Sequence, residues 1–277
     1  MPNDLSDAMS PSAPPEVPLT QDGVAESSIA RLLEVMRRLR DPGHGCEWDL
    51  AQDFKTIAPY TIEEAYEVFD AIDRQDVTDL KDELGDLLFQ VVFHAQMAAE
   101  AGHFDFEDVA ARIVDKMEAR HPHIFGDQHG QMTEGRWEAL KAEERAHKGA
   151  KSALEGVALA LPAAMRAQKL QKRAARVGFD WPDKEGPKSK VLEEIEELER
   201  ASSEAELAEE AGDFLFAAIN LVRAYGVDAE QALRDANRKF EKRFRMMEAQ
   251  AGGNFAELDL DAQEALWQQV KAQEKQD

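Results

Sequence analysis

One pattern occurs twice in this chain, and it limits the folds available. The string LKDELGDLLF (residues 80–89) returns as LAEEAGDFLF (207–216), and Glu63, Glu64 and Glu67 return as Glu193, Glu194 and Glu197. Lys116 and Arg120 are answered by Lys239 and Arg243, and Trp48-Asp49 by Phe179-Asp180-Trp181. Trp137 and Lys141 are answered by Trp267 and Lys271, so all four tryptophans fall into two matched pairs. This is a tandem duplication of one unit. Apolar residues recur at three- and four-residue spacing within each copy, and no alternating strand pattern of useful length appears. The fold class expected is therefore all-α, a repeat of two helical bundles.

The organisation expected is a disordered tail over 1–25, an N-terminal helical domain over 26–147, a connector over 148–162 and a C-terminal helical domain over 163–277. Helices are expected at Ser28–Arg40, about 61–73, about 77–101, Phe106–Arg120, Arg136–His147 and Ala163–Arg176, with two more in Val191–Phe216. Thr61 precedes Glu64 by three residues, which reads as a capping box opening the second of these. Cys46, Trp48 and Asp49 are expected in a loop.

The chemistry lies in the acidic set. At 3.6 residues per turn, Glu194 and Glu197 share one helix face, and Glu210 and Asp213 share another. Two such helices lying antiparallel point four carboxylates at one another. Desolvating and crowding like charges costs several kcal/mol each, about what a bound cation would offset. Oxygen ligands without His or Cys suit Mg²⁺, with Mn²⁺ as a substitute. Glu64, Glu67, Glu83 and Asp86 form the equivalent set in the first half.

Composition narrows the partners. Lys+Arg 33 against Asp+Glu 56 gives a net charge of −23, which argues against a surface built for a nucleic-acid backbone. The single Cys46 excludes an intrachain disulfide and fits a reducing, cytoplasmic compartment. No run approaches the ~20 apolar residues of a membrane span, and the N-terminus lacks a secretory signal. There is no Gly-rich phosphate loop.

The strings GCEWDLAQDFKTIAPYTIEEAYEV (45–68), DELGDLLFQVVFHAQ (82–96), RHPHIFGD (120–127), RAQKLQKRAARVGFDW (166–181), EEAGDFLFAAINLVR (209–223) and NRKFEKRF (237–244) carry a resemblance. In their order and their doubling, the chain resembles the MazG nucleoside triphosphate pyrophosphohydrolases of the all-α NTP pyrophosphatase superfamily. The resemblance covers nearly everything from about residue 29 onward. It implies Mg²⁺-dependent hydrolysis of nucleoside triphosphates, with broad specificity, to monophosphate and pyrophosphate by a homodimer. It also implies that Glu194, Glu197, Glu210 and Asp213 hold the metal, with Glu193 beside them to orient or deprotonate water. The nucleotide-binding set would be Lys190, Asn237, Lys239, Lys242, Arg243 and Trp267.

The resemblance further implies that the C-terminal half is the main catalyst, and the sequence adds a hint. Asn237 can donate to and accept from a base or sugar, and Lys and Arg suit phosphates, whereas Val114, its counterpart, can do neither. The basic stripe Arg166, Lys169, Arg173 and Arg176 lies on one helix face, either near the phosphates, at a partner subunit, or simply solvated. Trp181 and Trp267 could each stack on a base, and Trp267 is favoured. Glu100–His103 and Glu118–His121 have the spacing used by di-iron bundles, but Gly102 and Pro122 put both at helix ends. The competing classes are a non-catalytic acidic adaptor for a basic partner and a di-metal carboxylate oxidoreductase.

Overall fold

The computed structural model describes residues 27–126, 133–147 and 149–274. The tail expected over 1–25 lies outside them. The described residues form helices and connecting turns with no strand, and the chain divides into two compact units between Thr133 and Glu134. No helix among the described residues is long and apolar enough to cross a membrane.

The first unit begins with α1 (Ser28–Leu39), capped by Ser27, whose hydroxyl accepts the Ala30 N–H at 3.1 Å. A short α2 (Glu47–Leu50) follows where a loop was expected, so Trp48 and Asp49 are helical. Then α3 runs Phe54–Asp73. It begins seven residues before the expected start at Thr61, because the operative capping box is Asp53 with Thr56. The Asp53 carboxylate accepts from the Lys55 and Thr56 N–H groups, and the Thr56 hydroxyl accepts from the Asp53 N–H. Pro59 lies inside the second turn. There it removes a single backbone donor. The Thr61 hydroxyl is 3.1 Å from His94 Nε2 instead of capping anything.

A short turn at 74–76 reverses the chain into α4 (Val77–Glu100), which packs along α3. Gly102, at φ +71, takes the left-handed conformation that ends it. Two further helices, α5 (Phe106–Arg120) and α6 (Pro122–Phe125), complete the unit. The core is Met36, Ile57, Val92, Phe93 and Met97, flanked by Leu32, Leu33, Phe89 and Phe106. The buried Arg40 guanidinium ties α1 to α4 through Glu100 at 2.7 Å, and it donates to the Asp49 and Gln52 carbonyls.

The second unit holds α7 (Glu134–His147), α8 (Ala163–Arg176), α9 (Glu185–Arg200), α10 (Glu204–Ala224), α11 (Ala229–Gln250) and α12 (Leu260–Gln273). Residues 201–203 turn α9 back onto α10, as 74–76 turn α3 onto α4. Ser203, Asp228 and Asp259 cap α10, α11 and α12. On the other side of α10 lies α8, and its glutamines fasten it. Gln171 donates to the Phe216 carbonyl at 2.9 Å, while Gln168 donates to Val227 O and accepts from Ala229 N. Leu192, Leu207, Leu215 and Leu233 on α9, α10 and α11 are at least half exposed.

Candidate active site

The turn between α9 and α10 brings three of the four expected carboxylates together. Carboxylate oxygens of Glu194, Glu197 and Glu210 lie within 4.8 Å of one another. Asp213, one turn beyond Glu210, stands outside that triplet, yet its charge acts on Glu210. Burial pushes the Glu210 carboxyl up from its ordinary value, and the charges of Glu197, Glu194 and Asp213 push it further. Glu194 is only 3% exposed, and its Oε2 has no hydrogen-bond partner. A buried, unpartnered carboxylate oxygen among other carboxylates fits the hard-oxygen donor set of Mg²⁺ or Mn²⁺.

Lys190 lies four residues before Glu194 and reaches into this cluster. Its ammonium sits 2.6 Å from Glu194 Oε1, 2.8 Å from Glu193 Oε1 and 3.9 Å from Glu197 Oε2. Hydrogen bonds to Glu193 and Glu194 hold it protonated well above the usual lysine range. Glu193 itself points outward, with its side chain 57% exposed.

The first unit repeats the cluster with a difference. Oxygens of Glu64, Glu83 and Asp86 lie within 4.8 Å of one another, and Glu67 hydrogen-bonds to Glu64 and Glu83. Tyr60 stands where Lys190 stands, and it packs edge-on against Trp48. Burial, and then the charge of Glu67, raises both Glu64 and Glu83. Tyr60 brings no positive charge to offset this crowding, whereas Lys190 does in the second cluster.

Beside the second cluster lies a cavity of about 540 Å³, whose wall includes Glu194, Asp213 and Lys190. Leu170, Phe179, Trp181 and Phe216 make it largely apolar. The Trp181 ring lies against Gly186 at the start of α9, so close that a Cβ there would overlap it. The polar part of the wall was missed in reading the sequence. Arg223 is locked to Asp180 at 2.5 and 3.0 Å and donates to Asn220 Oδ1 at 2.8 Å. That leaves the Asn220 amide N–H₂ as a donor, while Gln171 Oε1 is buried without a partner. The signal that could have found them lies in the repeat. By the register of the duplicated string, Asn220 replaces Phe93, which fills the core of the first unit.

The structure does not bring the predicted basic set to this cavity. Asn237, Lys239, Lys242, Arg243 and Trp267 are absent from its wall. Arg243 pairs with Glu274 at 2.8 Å and lies over the Trp267 ring at 5.3 Å, and that ring packs on Phe240. Asn237, Lys239 and Lys242 on α11 are exposed.

The chain is similar in sequence to known proteins. The MazG nucleotide pyrophosphohydrolase domain matches residues 52–125, and phosphoribosyl-ATP pyrophosphohydrolase matches residues 168–240. A nucleoside triphosphate pyrophosphohydrolase of Escherichia coli (strain K12) is 54% identical over 259 residues, covering 90% of this chain and 98% of that protein. The nucleoside triphosphate pyrophosphohydrolase/pyrophosphatase MazG of Thermotoga maritima is 44% identical over 243 residues, covering 87% and 94%. A nucleoside triphosphate pyrophosphohydrolase of Mycobacterium tuberculosis is 31% identical over 236 residues, covering 82% and 62%.

Proposed function

The chain belongs to the MazG family of nucleoside triphosphate pyrophosphohydrolases, and from that premise we propose the bond cut, the metal and the half that acts. The enzyme hydrolyses nucleoside triphosphates between the α and β phosphates, releasing monophosphate and pyrophosphate. Mg²⁺, for which Mn²⁺ can substitute, is held by Glu194, Glu197, Glu210 and Asp213. One observation carries this reading: of three carboxylates within 4.8 Å of one another, the buried one with an unpartnered oxygen, Glu194, lines a cavity large enough for a nucleoside. When bound, the ion supplies charge neutralisation at the phosphate oxygens and makes nearby water more acidic.

The remaining work falls to the chain's own groups. Glu193, exposed beside the cluster, orients and deprotonates the attacking water. The Lys190 ammonium turns from Glu193 to a phosphate oxygen as the substrate's negative charge arrives. The apolar walls of Phe179, Trp181 and Phe216 take the base, whose edge meets a donor at Asn220 and an acceptor at Gln171. Few directional contacts on an apolar slot favour broad specificity.

Asn237, Lys239, Lys242, Arg243 and Trp267 complete the site across a homodimer, each copy bringing its α11 and α12 to the other's carboxylates. The exposed Leu192, Leu207, Leu215 and Leu233 support that association, since apolar surface of this kind is what obligate interfaces cover. A cytoplasmic location agrees with the lone thiol. The test is product analysis with ATP, dGTP and dCTP plus Mg²⁺. Monophosphate with pyrophosphate, lost in Glu197→Gln and kept in Glu67→Gln, is the expected result. Diphosphate with orthophosphate would refute the bond assignment, and loss in Glu67→Gln with the fold intact would refute the choice of half.

A further inference from the structure

The face of α8 that points away from the carboxylates borders a second cavity, of about 500 Å³. At about 100° per residue, Leu170, Gln171 and Ala174 face the first cavity, while Lys169, Lys172, Arg173 and Arg176 lie on the opposite side. With Lys141 from α7 they put five cations around one space, against the two carboxylates of Glu138 and Asp228. An excess of positive charge is unusual in a chain of net charge −23. None of the carboxylates Glu194, Glu197, Glu210 or Asp213 reaches it.

The wall is held in place. Arg173 donates to the Ala153 and Glu155 carbonyls at 3.1 and 3.2 Å. Glu138 is bridged by Lys141 at 3.0 Å and Arg176 at 2.8 Å. Lys169 and Lys172 make no ion pair among the described residues and are exposed toward the space. Burial, and then the neighbouring charges of Arg145 and Arg176, disfavours the charged form of Arg173. Cations crowded in this way are stabilised by an anion between them.

We infer that this cavity between α7, α8 and the 156–161 segment binds a condensed phosphate, a small anion with several charges, either as free pyrophosphate or as the phosphate tail of a nucleotide. Two unpaired lysines and two fixed guanidinium groups match the oxygens of adjacent phosphates, and the volume admits either form. The site is separate from the carboxylate cluster and needs no metal.

The test is calorimetric titration of the full-length chain with pyrophosphate, and in a parallel arm with ADP, in buffer containing EDTA so that no divalent ion serves the carboxylates. Lys169→Ala/Lys172→Ala should weaken binding at least tenfold, while Glu197→Gln binds as the wild type does. Equal affinity for both probes would assign the site to the phosphates alone, and tighter ADP binding would assign it to a nucleotide. The inference fails if wild type binds neither probe, or if the double variant, folded by thermal melt, binds as tightly as wild type. It also fails if the double variant changes only the sedimentation coefficient, which would make the basic wall a protein contact.

Discussion

Replacing Gly186 with alanine strikes the apolar cavity from its outer wall. A Cβ at this position would lie 2.0 Å from Trp181 Cδ1 and 2.3 Å from Cγ, so the indole must swing away by roughly 1.5 Å to regain van der Waals separation. Gly186 is in the first turn of α9, where alanine adds at most about 1 kcal/mol of helix propensity. Overpacking opposes this by about 1–3 kcal/mol. Trp181 is 44% exposed and can yield into solvent, which puts the cost at the low end. The net change in stability should stay within about 1 kcal/mol. The larger effect is on substrate, because the displaced ring no longer forms one wall for the base. Aromatic stacking is worth about 0.5–1.5 kcal/mol, which becomes a rise in KM of about 2- to 10-fold. The value of kcat should hold, since no carboxylate moves. Steady-state pyrophosphate release from ATP and dCTP measures both constants. An unchanged KM in a variant whose tryptophan fluorescence reports a displaced ring would refute the placement of the base.

Three further outcomes are expected. Arg40→Met should destabilise the first unit by about 3 kcal/mol in urea denaturation, because it leaves Glu100 and two carbonyls without their partner. Arg223→Met should cost about 1–3 kcal/mol and alter acid sensitivity. Its hydrogen bond, then its charge, holds the Asp180 carboxyl below the usual aspartate range. That stabilisation is present above the ordinary value near 4 and is lost as pH falls through the depressed folded value, so the wild type should show a loss below about pH 4 that the variant lacks. Lys190→Met should lower the melting temperature in chelator and make it rise more steeply with added Mg²⁺ than in wild type, because three carboxylates lose their shared ammonium. Equal slopes in a thermal-shift titration would contradict that.

The doubled acidic pattern was readable because helices repeat with a fixed period, and carboxylates at three- and four-residue spacing can only share a face. The same reasoning gave α4, α5 and α8 nearly to the residue. It failed at α3, where a spurious Thr61–Glu64 signature hid the true cap at Asp53. The cavity was not legible at all. Gln171, Asp180, Asn220 and Arg223 are single polar residues on three separate segments, and only tertiary packing of α8 on α10 brings them together. Lys190 could be placed four residues from Glu194, but the spacing could not say that its ammonium binds three carboxylates at once. The basic stripe on α8 was visible as a stripe, while the cavity it lines depended on α7 folding against it.

Two copies of one ancestral segment have come to handle surplus negative charge in different ways. The second carries a tethered ammonium, and at the same position the first carries Tyr60. A tethered charge stays at full strength whatever the cell's supply of free divalent ions, so the second unit need not wait for an ion before it can fold.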